Sequence, residues 1–531
     1  MYRNRDFDPQ QILIRREKES RHSRASDASL NLQRMLPWNE QALRQDLGLD
    51  VLCNAMAAGD GFVFEVAQAS ILTSLTDLRA IAYRQSIIAD CLKNSALVRA
   101  MYQIAVDAVE AERKNYWSFF TRYPSGILHR SVDILRIFVG MLKRLRRIAE
   151  EHAGEFTSEG FSGLLGMLQQ ELSDDYFAEI EQHLNRLKFR HGTLVSARLG
   201  AGNKGIDYVL RKPHDDTRNW LTRLLSDKAP AYTFQLHPRD EAGARALAEL
   251  NDRGVNLVAN ALAQSADHVL SFFQMLRTEL AFYIGCINLY EKMREIGEPI
   301  CFPQPTAAGE RGLSFVGLYD PALALALQAK VVGNDLDADN CDLVVITGAN
   351  NGGKSTFLRS VGIAQLMMQA GMFVPAQRFS TGICEGVITH YRREEDAGME
   401  SGKWDEELGR MSKIVDRLRP GALILFNESF SSTNEREGSE IAGQIVRALL
   451  DRGVKVFLVT HLYRLAHALL IERPDRARFL RAGRRPDGGR PFRLVTGEPL
   501  QTSYGEDLYR RVFCGESRPL DGTRGNAIVT D

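Results

Sequence analysis

The sequence predicts a multidomain chain in which an N-terminal all-α region carries a small β insertion and a C-terminal α/β domain follows. Three observations predict it. Apolar residues over 38–190 recur at helical spacing, the period changes over about 193–237, and from about residue 313 short apolar runs alternate with helical patterns. At 531 residues the chain is long enough for several separate cores.

Residues 1–37 are polar and mildly basic, and are expected to form a partly disordered tail. In SVDILRIFVGMLKRLRRIAEE the apolar residues fall at Ile134 and Leu135, Phe138, Met141 and Leu142, Leu145 and Ile148, one face of a 3.6-residue period. LLGMLQQELSDDYFAEIEQHLNRLKF repeats the pattern, and its length predicts one long helix. GTLVSARLGAGNKGIDYVLRKP then reads as two strands around a Gly-Asn-Lys-Gly turn, and APAYTFQLHP offers a third. From Arg239 to Gly297 no proline interrupts a second helical stretch, so the β insertion sits between two long helices. Lys204, Arg211 and Lys212 lie on the insertion and read as ordinary solvated charges rather than phosphate contacts. The helical region thus covers 38–312, the α/β domain 313–515, and 516–531 is a tail.

Lys plus Arg and Asp plus Glu both number 67, so net charge points to no acidic or basic partner, and any nucleic-acid surface must be local. The seven cysteines (Cys53, Cys91, Cys286, Cys301, Cys341, Cys384 and Cys514) are odd in number, widely spaced and contain no CxxC. They read as free, mostly buried thiols in a reducing compartment. The N-terminus has no apolar core of a secretory signal, and no apolar run reaches the roughly 20 residues a membrane span needs. These features read as a cytoplasmic protein.

The chemistry lies at the ends of three apolar runs. DLVVIT leads into Gly348–Ser355, GANNGGKS, a full match to GxxxxGK[ST] with a strand before and a helix after. In such a P-loop, backbone N–H groups and a helix N-terminus converge on phosphate oxygens. The candidate nucleotide-binding residues are Gly348, Asn350, Asn351, Gly352, Gly353, Lys354, Ser355 and Thr356. Lys354 would reach the β- and γ-phosphates of ATP, and Ser355 would ligate Mg²⁺. GALILF ends at Asn427-Glu428, where P-loop enzymes place an Asp that holds the waters on Mg²⁺ and a Glu that orients the attacking water. Glu428 can act as the base. Asn427, the second candidate metal residue, carries no charge, so Mg²⁺ is expected to be held more weakly and hydrolysis to be slowed. VKVFLVT ends at Thr460-His461, where a polar side chain can sense the γ-phosphate. Lys354, Glu428 and His461 are the candidate catalytic residues.

Together these residues resemble the ATPase domain of the MutS family of DNA mismatch-repair proteins. TGANNGGKSTFLRSVGIAQLMMQAGMFVPAQ is similar to the family's TGPNxGGKST…GxxVPA pattern, and Glu428, Ser431-Ser432-Thr433 and Thr460-His461 follow in the family's order. SYGEDLYRRVFCG resembles the segment leading into the family's C-terminal dimerisation helices, and LTDLRAIAYRQSII a core segment containing Arg-Gln. The resemblance implies an ABC-type P-loop ATPase domain preceded by a lever with a clamp-like insertion. It also implies a homodimer with ATP shared between subunits, and DNA, duplex or branched, gripped through its backbone. In the family a signature serine reaches the partner's nucleotide, and Ser401 is the nearest serine here, with Trp404 in place of an aromatic neighbour. The aromatic that stacks on adenine falls near Val331. GDGFVFEVA is mis-spaced for the family's Phe-x-Glu wedge and reads as core, so the resemblance is to members lacking the mismatch-recognition domain.

These departures imply a slow or conditional ATPase acting in DNA repair or recombination. Two other readings remain. One is an ATP-binding switch with little hydrolysis that docks a protein partner. The other is a different ABC-type ATPase, against which stand the absence of a membrane segment and the lack of a long coiled coil between Lys354 and Asn427.

Overall fold

The computed structural model describes residues 36–115, 123–189, 192–211, 235–237, 239–307, 309–310, 312–393, 402–485 and 488–501. Contacts group these into two compact units, Lys93–Ala281 and a second that joins the residues before Lys93 to those from Phe282 onward.

Among the described residues the first elements are four helices: α1 (Glu40–Leu47), α2 (Leu49–Ala57), α3 (Gly61–Leu72) and α4 (Leu78–Lys93). The Asp60 carboxylate accepts from the amides of Phe62 and Val63 and so starts α3 inside GDGFVFEVA. Val63, Val66 and Ala67 of that stretch are buried, as core residues should be.

The unit Lys93–Ala281 contains α5 (Ser95–Asn115), α6 (Pro124–His152), α7 (Glu159–Glu171), α8 (Asp174–Arg186) and most of α9 (Glu241–Ile296), with an antiparallel pair between them, β1 (Leu194–Leu199) and β2 (Gly205–Arg211). Pro124 at the first position of α6 suits a helix start. The predicted face of α6 is its buried face, with Leu135, Phe138, Leu142 and Leu145 inside and the Phe138 ring 5.5 Å from that of Phe273. The single long helix expected over LLGMLQQELSDDYFAEIEQHLNRLKF is instead two. Leu172 leaves the helical region, and Ser173 caps a new helix by accepting from the Tyr176 amide at 3.2 Å. Asp174 and Asp175 then sit in the first turn, where the helix dipole favours negative charge. Ser-Asp-Asp within the stretch was the start signal. The proline-free segment does form one helix, the 56-residue α9. Of the third strand expected at APAYTFQLHP only residues 235–237 are described, and they form no strand; Lys212 and the Ser-Tyr-Gly segment lie outside the described residues.

The second unit is built on two sheets. One holds β3 (Gln304–Thr306), β4 (Leu313–Leu318), β5 (Asn334–Asp337) and β7 (Arg378–Gly382) in the order β3-β7-β4-β5. The other comprises β6 (Leu343–Gly348), β8 (Val387–Tyr391), β9 (Leu423–Asn427), β10 (Lys455–Val459), β11 (Ala477–Ala482) and β12 (Leu494–Thr496) in the order β12-β11-β6-β10-β9-β8. Only β12 runs antiparallel to its neighbour. The three apolar runs of the sequence are β6, β9 and β10, the middle of the parallel stretch, and near-continuous apolarity is what a strand covered on both faces requires. Among the described residues the unit also holds helices α10 (Pro321–Leu327), α11 (Lys354–Gln369), α12 (Lys403–Val415), α13 (Glu435–Asp451) and α14 (Tyr463–Glu472).

The first helices belong to this α/β unit through specific buried bonds. Asn39 Nδ2 donates to the Val387 carbonyl at the start of β8 at 2.9 Å. Arg84, 3% exposed, donates to the Ala370 carbonyl at the C-terminal end of α11 at 2.8 Å, and its guanidinium stands 5.1 Å over the Phe282 ring. A cation is well placed at that negative helix end. Gln85 donates to the Pro303 carbonyl at 3.2 Å. The Arg-Gln pair in LTDLRAIAYRQSII is therefore a structural clasp.

Of the seven cysteines, Cys53, Cys91, Cys286, Cys341 and Cys384 are buried free thiols and Cys301 is a half-buried one. No helix among the described residues is long and apolar enough to cross a membrane. Leu458 is 1% exposed in the central strand β10 and belongs to the sheet's apolar core. Leu458→Ala is expected to destabilise this unit by about 2–5 kcal/mol, measured as a lowered urea midpoint at unchanged slope.

Candidate nucleotide site

Parallel pairing brings the site's parts to one level. Val459 of β10 faces Ile346 of β6 on one side and Asn427 of β9 on the other, so the chain leaves all three strands at the same edge. That edge, at the carboxyl ends of the strands, is where open α/β sheets bind ligands.

The loop after β6 folds as its glycines require. Gly348, at φ 103°, and Gly353, at φ 88°, hold left-handed backbone that other residues adopt at a cost. At Gly352 the constraint is space, since a Cβ there would stand 2.6 Å from the Ala482 methyl of β11. Asn351, at φ 54°, supplies the remaining left-handed position, which asparagine tolerates better than most residues. The loop ends at the N-terminus of α11, and Asn350 and Asn351 are exposed. Lys354 is 4% exposed, and its Nζ donates to the carbonyls of Gly348 at 3.1 Å and Ala349 at 3.0 Å. Burial pushes its amine below the usual lysine range, with the Glu428 carboxylate opposing. Thr356 follows in the first turn of α11, partly exposed.

Ser355 Oγ donates to Asn427 Oδ1 at 2.9 Å, joining the glycine-rich loop to the end of β9. His461 Nε2 donates to Glu428 Oε1 at 2.9 Å, joining the ends of β9 and β10. The His461 hydrogen bond, reinforced by the charges of Lys354 and Arg392, holds the Glu428 carboxyl below the ordinary range. Thr460 is buried and its Oγ1 accepts from the Leu462 amide. Ser431 Oγ donates to the Glu428 carbonyl at 2.7 Å, and Thr433 Oγ1 to Glu437 Oε2 at 3.2 Å.

The structure thus gathers Lys354, Ser355, Asn427, Glu428 and His461, drawn from three stretches of sequence. Val331 lies in the loop after α10, where its amide donates to the Glu298 carboxylate. Ser401 lies outside the described residues, and α12 begins just beyond it at Lys403, with Gly402 as its N-cap. Two residues unforeseen in the sequence border the loop. Arg490 Nε donates to the Asn350 carbonyl at 3.4 Å. Phe492, at φ 57° and 49% exposed, has its backbone about 3.5 Å from where a Cβ on Gly353 would lie. Asn334 fixes that segment, donating to the Phe492 carbonyl and accepting from the Leu494 amide at 2.7 Å. Nothing in the sequence around Phe492 marks it, because its distance from the loop is closed only by β11 pairing with β6.

The donor set fits a magnesium-bound nucleoside triphosphate. Gly348 and Gly352 of the cradle leave no room for a Cβ, and Ser355 and Asn427 offer hard oxygen ligands of the kind Mg²⁺ takes alongside phosphates. His461→Ala is expected to raise the titration midpoint of Glu428 towards the ordinary carboxylate value, because the hydrogen bond that favours its charged form is removed. Carboxyl ¹³C NMR across the acid range measures it.

Two family models match the chain. The MutS2 N-terminal domain matches residues 76–296 and MutS domain V residues 344–476. The DNA mismatch repair protein MutS of Chloroflexus aurantiacus is 25% identical over 261 residues, 46% of this chain and 27% of that protein. The MutS of Chlorobium chlorochromatii is 25% identical over 317 residues, 55% of this chain and 35% of the relative. The MutS of Thermotoga maritima is 37% identical over 131 residues, 24% of this chain and 16% of the relative. The chain thus spans about a third or less of each of these relatives. With both models matched in the order the fold requires, the chain is a member of the MutS family.

Proposed function

We propose that the protein binds and slowly hydrolyses ATP with Mg²⁺ in a MutS-type, ABC-like P-loop site shared between two subunits, and couples nucleotide state to holding DNA in repair or recombination. The observation that carries this is the meeting of Lys354, Ser355, Asn427, Glu428 and His461 at the ends of β6, β9 and β10.

In this reading the amides of Gly352, Gly353 and Lys354 cradle the phosphates at the N-terminus of α11. Lys354 exchanges its two carbonyl partners for phosphate oxygens, whose negative charge opposes the effect of burial and favours the ammonium form. Ser355 and Asn427 would hold Mg²⁺, which neutralises charge on the phosphates. Glu428, kept ionised by His461, orients and deprotonates the attacking water, and His461 lies beside it to sense the γ-phosphate. Phe492 offers the exposed aromatic face nearest the loop for the base, a role the resemblance had given to a position near Val331. Ser401 would reach the partner subunit's nucleotide. DNA would be held through its backbone by a local surface, since the chain's charges balance overall.

Asn427 favours one other reading, an ATP-held switch with little turnover that docks a protein partner. A neutral amide in place of a carboxylate loosens the hold on the metal while Lys354 and the loop still bind phosphate.

Steady-state ATP turnover with duplex or branched DNA titrated in decides between the two. Turnover that changes with DNA and is lost in Glu428→Ala supports the DNA-coupled ATPase, and DNA affinity should then fall steeply with salt. Turnover at background with and without DNA supports the switch. Asn427→Asp is expected to tighten Mg²⁺ and raise hydrolysis, by about tenfold if it recovers one charge-assisted contact. A metal titration of turnover measures both.

A further inference from the structure

Three buried polar side chains beneath the Glu428 turn take no part in the chemistry above. His390 at the end of β8 is 0% exposed, Ser429 1% and Glu407 of α12 2%. The His390 ring stacks on Phe430, centroids 5.4 Å apart and planes at 14°. Its Nδ1 lies 2.8 Å from Ser429 Oγ and its Nε2 3.2 Å from the Glu407 carbonyl oxygen. Burial pushes the imidazole down to about 4, so it is neutral and carries one ring proton. A carbonyl can only accept, which places that proton on Nε2 and leaves Nδ1 an acceptor. The Ser429 hydroxyl proton then has two acceptors, Nδ1 and the His390 carbonyl oxygen at 2.5 Å. Glu407 Oε1 accepts from the Phe430 amide at 2.9 Å.

The turn these groups hold is strained. Glu428 has φ 54° and Phe430 φ 63°, two non-glycine residues in left-handed backbone within three positions. Such a conformation is costly for a residue with a side chain and persists only where its surroundings fix it. The fixing bonds come from three elements: the Val459 carbonyl of β10 to the Glu428 amide, His390 of β8 to Ser429, and Glu407 of α12 to the Phe430 amide. Helix α12 also touches the turn through Trp404 in its first turn, edge-on to Phe430 at 6.4 Å.

We infer that His390 and Glu407 are positioning residues that hold the strained turn so that Glu428 faces His461, and that they tie this orientation to α12. A displacement of the first turn of α12 is thereby felt at Glu428. The consequence for hydrolysis rests on the function proposed above, whereas the tie between α12 and the Glu428 turn does not.

Trp404 reports on the tie. The chain has four tryptophans, and Trp38→Phe, Trp117→Phe and Trp220→Phe leave Trp404 alone. In that full-length background, saturating Mg²⁺-ATP is expected to shift Trp404 emission. His390→Phe keeps the stacked ring but removes both nitrogens, and Glu407→Ala removes the acceptor for Phe430. Both should lose most of the shift and slow single-turnover hydrolysis by about tenfold or more, with affinity for a fluorescent ATP analogue within about threefold of the parent. Glu407→Gln keeps an oxygen for the Phe430 amide and should restore both readouts. The inference is overturned if Trp404 ignores bound ATP, if the variants keep shift and turnover, or if they lose ATP binding and folding together. A parent that hydrolyses no faster than Glu428→Gln sinks the hydrolytic reading alone, and the Trp404 shift still decides the tie.

Discussion

The parallel register of β6, β10 and β9 is the constraint on which the site depends. Val459 lies opposite both Ile346 and Asn427, so three turns separated by long stretches of chain emerge side by side. Because strand side chains alternate with period two, a slip of one residue would turn Asn427 to the other face and break its bond with Ser355. Burial of the whole middle of the sheet enforces that register more strongly than any bond at the site, since Leu343, Val345, Ile424, Phe426, Val456 and Leu458 all belong to one apolar core.

Left-handed backbone is distributed in two ways along this edge. In the loop after β6 it falls on Gly348 and Gly353, with Asn351 between, and is tolerated by residue choice. After β9 it falls on Glu428 and Phe430, whose side chains are needed, and is tolerated because hydrogen bonds from β8, β10 and α12 surround it. Gly438 of α13 makes room for this turn, since a Cβ there would stand 2.5 Å from the Phe430 carbonyl oxygen. Strain at the Glu428 turn is thus held by the packing and hydrogen bonds around it.

The first helices show how a motif can be legible while its contacts are not. Arg84-Gln85 was visible as a pattern, and helical periodicity grouped it with the helices that follow. Its guanidinium satisfies the C-terminal carbonyl of α11 and covers Phe282, and these contacts group it with the α/β unit. Periodicity reports which face of a helix is buried and carries no information about what buries it.

The sequence by itself determined the local chemistry: the strands β6, β9 and β10, the glycine-rich loop with Lys354 and Ser355, the Asn427-Glu428 pair, Thr460-His461 and the β1–β2 pair. Each rests on an interaction confined to a few neighbouring residues, such as apolar runs, turn glycines or a helix start. A local signal was also present where α7 and α8 part, at Ser173, but the apolar stripe running through it masked it. Only the tertiary structure decided that His461 bonds Glu428, that Phe492 lies against Gly353, and that His390 and Glu407 bond Ser429 and the Phe430 amide. These contacts join positions from 17 to about 140 residues apart, and strand order and helix packing create them. No sequence window holds both partners, so no residue in either window announces the pairing.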